Sequence, residues 1–161
     1  MADKLNTMRI LEQQKIPYEA LHYPDDLRDA EEIAEVLGLP PYLVYKTLVA
    51  QPEQGNKPML IMIASDRALD LKKLAAVSGQ KKVRMAAHKD AEALTGLKVG
   101  GISALALINK GFEVYLDDRA LAFAQIAVSA GQRGANILLP VQELVKLVNA
   151  RTVHLQEQEA A

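Results

Sequence analysis

Val44-Tyr45-Lys46-Thr47-Leu48-Val49-Ala50 sets one lysine inside a run that otherwise reads as a buried strand. Its β-branched and aromatic side chains favour extended backbone. Strand side chains alternate between faces, so Tyr45, Thr47 and Val49 share one face and Val44, Lys46, Leu48 and Ala50 the other. Lys46 therefore has apolar neighbours on its own face. An ammonium taken out of water needs an anion to meet. Alternatively the strand lies at a sheet edge and the lysine stem snorkels to solvent. This stretch alone leaves both readings open.

The sequence on either side builds a sheet around it. Residues 58–64 are almost all apolar, as in a strand covered on both faces. The polar loop 51–57, holding Gly55-Asn56, joins the two runs as a hairpin. Upstream, Pro40-Pro41 restricts the chain before the lysine strand. Asp29 with Glu32 three residues later is a capping-box start for a helix that Gly38 stops. Residues 18–23 read as a strand, with Tyr18, Ala20 and His22 opposite Glu19, Leu21 and Tyr23. A first helix over 3–14 is capped by Asp3 and ended by Pro17.

Downstream, Asp70 opens a helix with Leu71, Leu74 and Val77 on one face, stopped by Gly79. A basic segment, Gln80-Lys81-Lys82-Val83-Arg84, follows it, then a helix over 88–94 ending at Gly96. The turn Gly100-Gly101-Ile102-Ser103 leads into apolar residues 104–108. Strands are expected at 113–116, 124–128 and 137–139, with Asp117-Asp118 capping a short helical turn after the first. The second of these strands delivers Ser129 into another glycine turn, Ala130-Gly131-Gln132-Arg133-Gly134. Pro140 starts a last helix, residues 153–155 add an edge strand, and 156–161 form a frayed tail. Strands and helices mix without βαβ alternation. The expectation is an α+β single domain over 1–161, its mixed β-sheet curled into an open barrel with flanking helices.

Composition narrows the chemistry. The chain has 161 residues, enough for one domain with a real core, and 4% aromatics, so that core is mostly aliphatic. Cysteine is absent, which excludes disulfides, thiolate metal sites and cysteine nucleophiles and suits a reducing cytoplasmic setting. The opening residues mix charges of both signs, unlike a signal peptide, and no apolar run is long enough to span a bilayer. A net charge of -1 argues against a general nucleic-acid coat but allows a local basic patch.

His22, His88 and His154 fall on separate elements without ligand spacing, so no metal is expected. No GxGxxG, Walker lysine or serine elbow is present. Two glycine turns remain, each with a serine at its edge. Such turns either converge backbone amides on an anion or are simply tight turns. Lys72, Lys73, Lys81, Lys82 and Arg84 form a solvated face or a phosphate track.

Taken together, Val44-Tyr45-Lys46-Thr47-Leu48, Leu69-Asp70-Leu71-Lys72-Lys73, Gly100-Gly101-Ile102-Ser103 and the Val128 to Gly134 turn resemble the YbaK family, the prolyl-tRNA synthetase-associated editing domain. The resemblance runs over nearly the whole chain. It implies a cofactor-free hydrolase for wrongly charged aminoacyl-tRNA, with Cys-tRNA(Pro) as the leading substrate and Ala-tRNA(Pro) as the alternative. Prolyl-tRNA synthetase is the implied transient partner. It also implies that Lys46 is the pocket lysine and that Gly100, Gly101, Ile102 and Ser103 line the catalytic centre. Ser129, Gly131, Gly134 and Asn136 then form the facing wall, with Tyr23, Tyr45 and Thr47 on the pocket side. Lys72, Lys73, Lys81, Lys82 and Arg84 would carry the tRNA.

The chain departs from cysteinyl-type members at Ala104, Ala130, Gln132 and Asn136, which leaves the edited amino acid open. The expected chemistry is ester hydrolysis through an oxyanion held by backbone amides. Lys46 attack would leave a stable amide, so water or the substrate's own thiol or hydroxyl is the attacker. A non-catalytic module that binds tRNA or a synthetase is the competing reading, and a regulatory protein that kept the fold without the chemistry is a third.

Overall fold

The structure is a computed structural model describing residues 4–54 and 57–158. Every side chain of β3 (Met59–Ala64) is buried, which accounts for its unbroken apolar run. It pairs antiparallel with β2 (Tyr45–Pro52) and parallel with β5 (Glu113–Asp117). The edge strand β4 (Val83–Met85) lies beyond β2, and β8 (Arg151–Val153) lies beyond β5. The result is a mixed five-stranded sheet in the order β4-β2-β3-β5-β8. A second, antiparallel sheet has the order β1-β7-β6, built from β1 (Glu19–His22), β6 (Gln125–Ser129) and β7 (Ala135–Pro140).

The α+β class is as expected from the sequence. In place of one curled sheet there are two, joined by a parallel bridge between Val44 and Ala127. The arrangement is open, not a closed barrel. Beside that bridge lies a cavity that β2 lines through Tyr45, Lys46, Thr47 and Leu48 and β6 through Ser129. Most of the core fills the space between the sheets, with Tyr45, Leu60, Met62, Leu105, Leu116, Ile126, Ile137 and Leu144 in one cluster. A smaller cluster of Ala50, Ile61, Leu74, Tyr115 and Leu155 covers the other face of the larger sheet.

Five α-helices flank the sheets among the described residues: α1 (Asn6–Gln13), α2 (Ala30–Leu37), α3 (Leu71–Ser78), α4 (His88–Thr95) and α5 (Val141–Val148). The caps read from sequence are present where they were cleanest. The Asp29 carboxylate accepts the Glu32 N–H at 3.1 Å, and Gly38 ends α2 in the left-handed conformation at φ 71°. Asp70 accepts the N–H groups of both Lys72 and Lys73. α1 stops earlier than Pro17 requires, because Lys15 already turns left-handed at φ 58°. Asp3, Gly55, Asn56 and the tail residues 159–161 lie outside the described residues.

Three expectations are corrected. The basic segment after α3 is part strand, since β4 pairs with Ala50, Gln51 and Pro52. The last strand begins at Arg151, two residues before the expected start, and runs parallel to β5. Residues 156–157 are docked, not frayed. Gln156 is buried, the Glu157 N–H donates to the Ala68 carbonyl at 2.8 Å, and the Asp70 N–H donates to the Leu155 carbonyl at 2.8 Å. No helix among the described residues is long and apolar enough to cross a membrane.

Candidate active site

β2 has a strand partner on only one side along its first residues. β3 covers one edge from Tyr45 to Ala50, but β4 reaches the other edge only at Ala50, Gln51 and Pro52. Hydrogen-bonding direction alternates along an antiparallel strand. The Val44 carbonyl accepts from Ser65 on the β3 side, and the Val49 carbonyl accepts from Ala86 on the opposite side. By that alternation the backbone N–H and C=O of Thr47 point away from β3. They face a cavity of about 710 Å³ bounded by β2, the Gly100 turn, the start of α2 and the ends of β6 and β7. Because this is a strand edge, Lys46 and Thr47 both line the cavity although their side chains leave opposite faces of the sheet.

Lys46 is half-buried there, and its ammonium meets the Ser65 carbonyl oxygen at 3.4 Å. No carboxylate lies within ion-pairing distance of it among the described residues. A partly desolvated cation held only by a long contact to a carbonyl is set up to receive a polar or anionic group. The cavity also has unused hydrogen-bonding capacity. The hydroxyl of Thr47 is buried without a partner, as is that of Tyr45, whose ring belongs to the main core; the Tyr23 hydroxyl makes no well-formed hydrogen bond, although the Gly134 amide lies close enough to favour its charged form. Burial raises the Tyr23 phenol, with the Gly134 amide opposing the shift. Burial also raises Tyr45 strongly, with the charge of Asp117 adding to the effect. Both phenols are neutral hydroxyls at physiological pH.

The two glycine turns meet each other, and their residues divide between lining the cavity and packing. Gly100 and Ile102 line it on one side, Ser129 and Asn136 on the other. Ser129 and Asn136 are register partners across β6 and β7, so one pair of opposed residues makes that wall. Gly101 does not line the cavity. Its N–H donates to the Lys98 carbonyl at 2.8 Å, and a Cβ there would sit 2.8 Å from the Arg133 backbone nitrogen. Ser103 is buried, and its hydroxyl accepts the Ala106 N–H, closing the next turn. Gly131 has φ 105°, and a Cβ on it would meet the Ala106 Cβ at 3.0 Å. The Gly134 carbonyl accepts the Tyr23 N–H at 3.1 Å, so this glycine joins the turn to the end of β1. Glycine at 101, 131 and 134 thus serves close approach of chain to chain, and the cavity wall depends on that approach.

The basic group at α3 and β4 lies elsewhere. Lys72, Lys73, Lys81, Lys82 and Arg84 do not line this cavity, and β4 joins β2 four to six residues beyond Lys46. At ~3.3 Å per residue that is roughly 13–20 Å along the strand. The Lys73 ammonium donates to the Gln156 carbonyl at 2.7 Å and so holds the chain end.

Sequence reasoning missed Arg28, Asp29, His88, Glu92 and Arg133 as cavity residues. Asp29 was visible only as a helix cap, and Arg133 only as part of a glycine turn. Glu92 braces the Gly100 turn by accepting the Val99 N–H at 2.8 Å. Asp117, Asp118 and His154 cluster tightly at the far end of β5. There both Asp117 oxygens already accept N–H groups, from Leu155 on one and from Arg119 and Gln156 on the other, which explains the cluster as a capped turn.

Comparison with known proteins bears directly on this arrangement. Residues 24–147 match the family described as the aminoacyl-tRNA editing domain. The chain is 40% identical over 160 residues to an Enterococcus faecalis protein named "Putative Cys-tRNA(Pro)/Cys-tRNA(Cys) deacylase EbsC", covering 97% of this chain and 95% of that one. It is 29% identical over 90 residues to the proline–tRNA ligase of Aquifex aeolicus, a stretch that is 56% of this chain and 15% of the ligase. A solved structure titled "Crystal structure of a putative trans-editing enzyme for prolyl tRNA synthetase" superposes with a TM-score of 0.81 at 25% identity, covering 98% of this chain and all of that one.

Proposed function

Because the chain belongs to the aminoacyl-tRNA editing domain family, we propose that it hydrolyses the ester of mischarged aminoacyl-tRNA in the Lys46 cavity, with cysteine on proline tRNA as its substrate. The observation that carries this reading is Lys46 itself: a half-buried ammonium without a carboxylate partner among the described residues, on the free edge of β2 and facing a glycine turn.

The aminoacyl ester enters with its carbonyl toward the Gly100 turn. Attack on that carbonyl develops an oxyanion, and preorganised amides are the usual means of holding one. The Gly101 amide is already bound to Lys98. The amides of Gly100 and Ile102, both on the cavity wall, carry none of the bonds described above and are the donors in this scheme. Lys46 stabilises the departing ribose oxygen or the adjacent phosphate. The backbone of Thr47 and the hydroxyls of Tyr23 and Thr47 hold the amino and ribose groups, which satisfies capacity that is otherwise buried and unused. Either water attacks and yields the free amino acid, or the substrate thiol attacks and yields a cyclic thioester that water then opens; in both routes the ester C–O bond breaks and the attacker's proton passes to the departing ribose oxygen. Ser129 has a structural task in this scheme, since its oxygen accepts the Gly131 N–H and so shapes the turn.

The test offers purified protein cysteinyl-, alanyl-, seryl- and prolyl-tRNA made on the same proline tRNA and follows release of each amino acid. Rapid release of cysteine with prolyl-tRNA spared supports the proposal. Release of alanine in preference to cysteine moves the substrate within the family. No release from any of the four favours a binding module.

A further inference from the structure

We infer that Arg28 and Arg133 form a two-arginine clamp for a phosphodiester of the tRNA acceptor end, with Gly100 as the floor between them; this rests on the deacylase reading above. A Cβ built on Gly100 would lie 3.4 Å from the Cγ of Arg28 and 3.5 Å from both the Cγ and Nε of Arg133. The two side chains thus both pack against one glycine, one from the segment before α2 and one from the second glycine turn. Both line the Lys46 cavity, and both also line a second cleft of about 610 Å³ together with Lys98 and Gly101. They stand where the two spaces meet.

Two like charges side by side repel unless something negative lies between them. The carboxylates lining the cavity, Asp29 and Glu92, each accept a backbone N–H and neither pairs with an arginine among the described residues. Neither arginine has an ion pair among the described residues. The Nε of Arg133 donates to the Val99 carbonyl at 2.7 Å, which fixes the stem and leaves the terminal nitrogens of the fork for a ligand. A guanidinium fork suits the oxygens of a phosphate. Gly100 has φ 92° and no side chain, so the stems of both arginines pack directly against its backbone. Asp25 and Asp26 also border the second cleft, and a phosphate there would be drawn to Arg28, Lys98 and Arg133 and repelled by these carboxylates. The acceptor strand then enters past the two guanidinium forks, where the two spaces meet, with its terminal nucleoside in the Lys46 cavity. That places the tRNA on a different face from the α3 and β4 lysines.

The experiment measures binding of an uncharged acceptor-stem minihelix ending in CCA, together with KM and kcat for the aminoacylated form. The variants are Arg28→Gln, Arg133→Gln, Arg133→Lys and a Lys72→Gln, Lys82→Gln, Arg84→Gln triple change. Each Gln variant at 28 or 133 is expected to weaken binding roughly 10-fold, raise KM more than it lowers kcat, and reduce the salt slope by about one. The triple change is expected to leave all three unchanged. Arg133→Lys keeps the charge but loses the bond to Val99, and is expected to retain the salt slope. Equal losses in Arg133→Lys and Arg133→Gln with an unaltered slope would make Arg133 only a loop brace and overturn the clamp. So would unchanged binding in Arg28→Gln, or a loss confined to the triple variant. Wild-type protein that binds the minihelix but releases no amino acid would instead refute the deacylase reading and leave the clamp standing.

Discussion

Gly101→Ala tests whether the two glycine turns hold the cavity wall by backbone contact. The new Cβ would lie 2.8 Å from the Arg133 nitrogen, 2.9 Å from the Gln132 carbonyl carbon and 3.1 Å from the Gln132 Cα. All three are main-chain atoms, so no rotamer change relieves the clash and one turn must move. Overpacking a close contact costs about 1–3 kcal/mol, and a backbone neighbour puts this case near the upper end. For a chain of this size, ~2–3 kcal/mol lowers the melting midpoint by roughly 4–12 °C. The same displacement separates Gly100 and Ile102 from Ser129, so kcat is expected to fall ~10-fold, since small misplacements of a positioned group are costly. Gly111→Ala is the control. Unlike Gly101 it has positive φ, at 87°, but a Cβ there meets nothing within 4 Å, so only backbone strain of about 1 kcal/mol is expected, with kcat intact. Calorimetry and single-turnover deacylation on the same samples decide it. A Gly101→Ala midpoint within about 1 °C of wild type would refute the packing argument.

Three further outcomes follow from the same geometry. Tyr45→Phe removes a buried hydroxyl that has no partner, so stability at pH 7 is expected to hold or rise by up to ~1 kcal/mol in urea titration. The folded-state pKa of Tyr45 is raised, chiefly by burial, so its contribution to stability is complete below the unfolded value of about 10 and is lost as pH climbs through the folded value. Wild type should therefore lose stability above pH 10 more steeply than Tyr45→Phe, and parallel curves would contradict this. Asp70→Ala takes the acceptor from both Lys72 and Lys73 amides and is expected to cost about 1–2 kcal/mol by chemical denaturation, with no change in kcat. Lys73→Met breaks the 2.7 Å bond to the Gln156 carbonyl and is expected to cost roughly 1–2 kcal/mol while leaving minihelix affinity unchanged; weaker RNA binding at full stability would return Lys73 to the tRNA track.

What could be read from the sequence was local. Asp29, Glu32 and Gly38 specify α2 within ten residues, and the apolar run 59–64 marks the central strand by itself. β4 escaped because an edge strand needs little apolar content, and only Val83 among its three residues is shielded from solvent. The split into two sheets escaped because it is set by which strands pair over long range, and the sheets meet at one parallel bridge, Val44 to Ala127, which no periodicity encodes. The site divides in the same way. Lys46 stood out because a charge in an apolar strand is locally anomalous. Arg28 and His88 did not, because a charged or polar residue near a helix start looks like ordinary surface until the fold places it over a cavity. Gly101 and Gly134 were recognisable as important, but their reason, chain packing against chain, exists only once the turns meet.

Lys46 is the proposed seat of the chemistry, so the most direct measurement is single-turnover release of cysteine from Cys-tRNA(Pro) by wild type, Lys46→Ala and Lys46→Arg, each checked for an unchanged melting midpoint. Lys46 is half-buried on an exposed strand edge with only a 3.4 Å contact to lose, so both variants are expected to fold as wild type does. The account predicts that Lys46→Ala loses at least ~100-fold in rate, the scale of removing one charge-stabilising group. Lys46→Arg is expected to recover little, because a planar fork does not replace a compact ammonium. A folded Lys46→Ala protein that releases cysteine at the wild-type rate would contradict it.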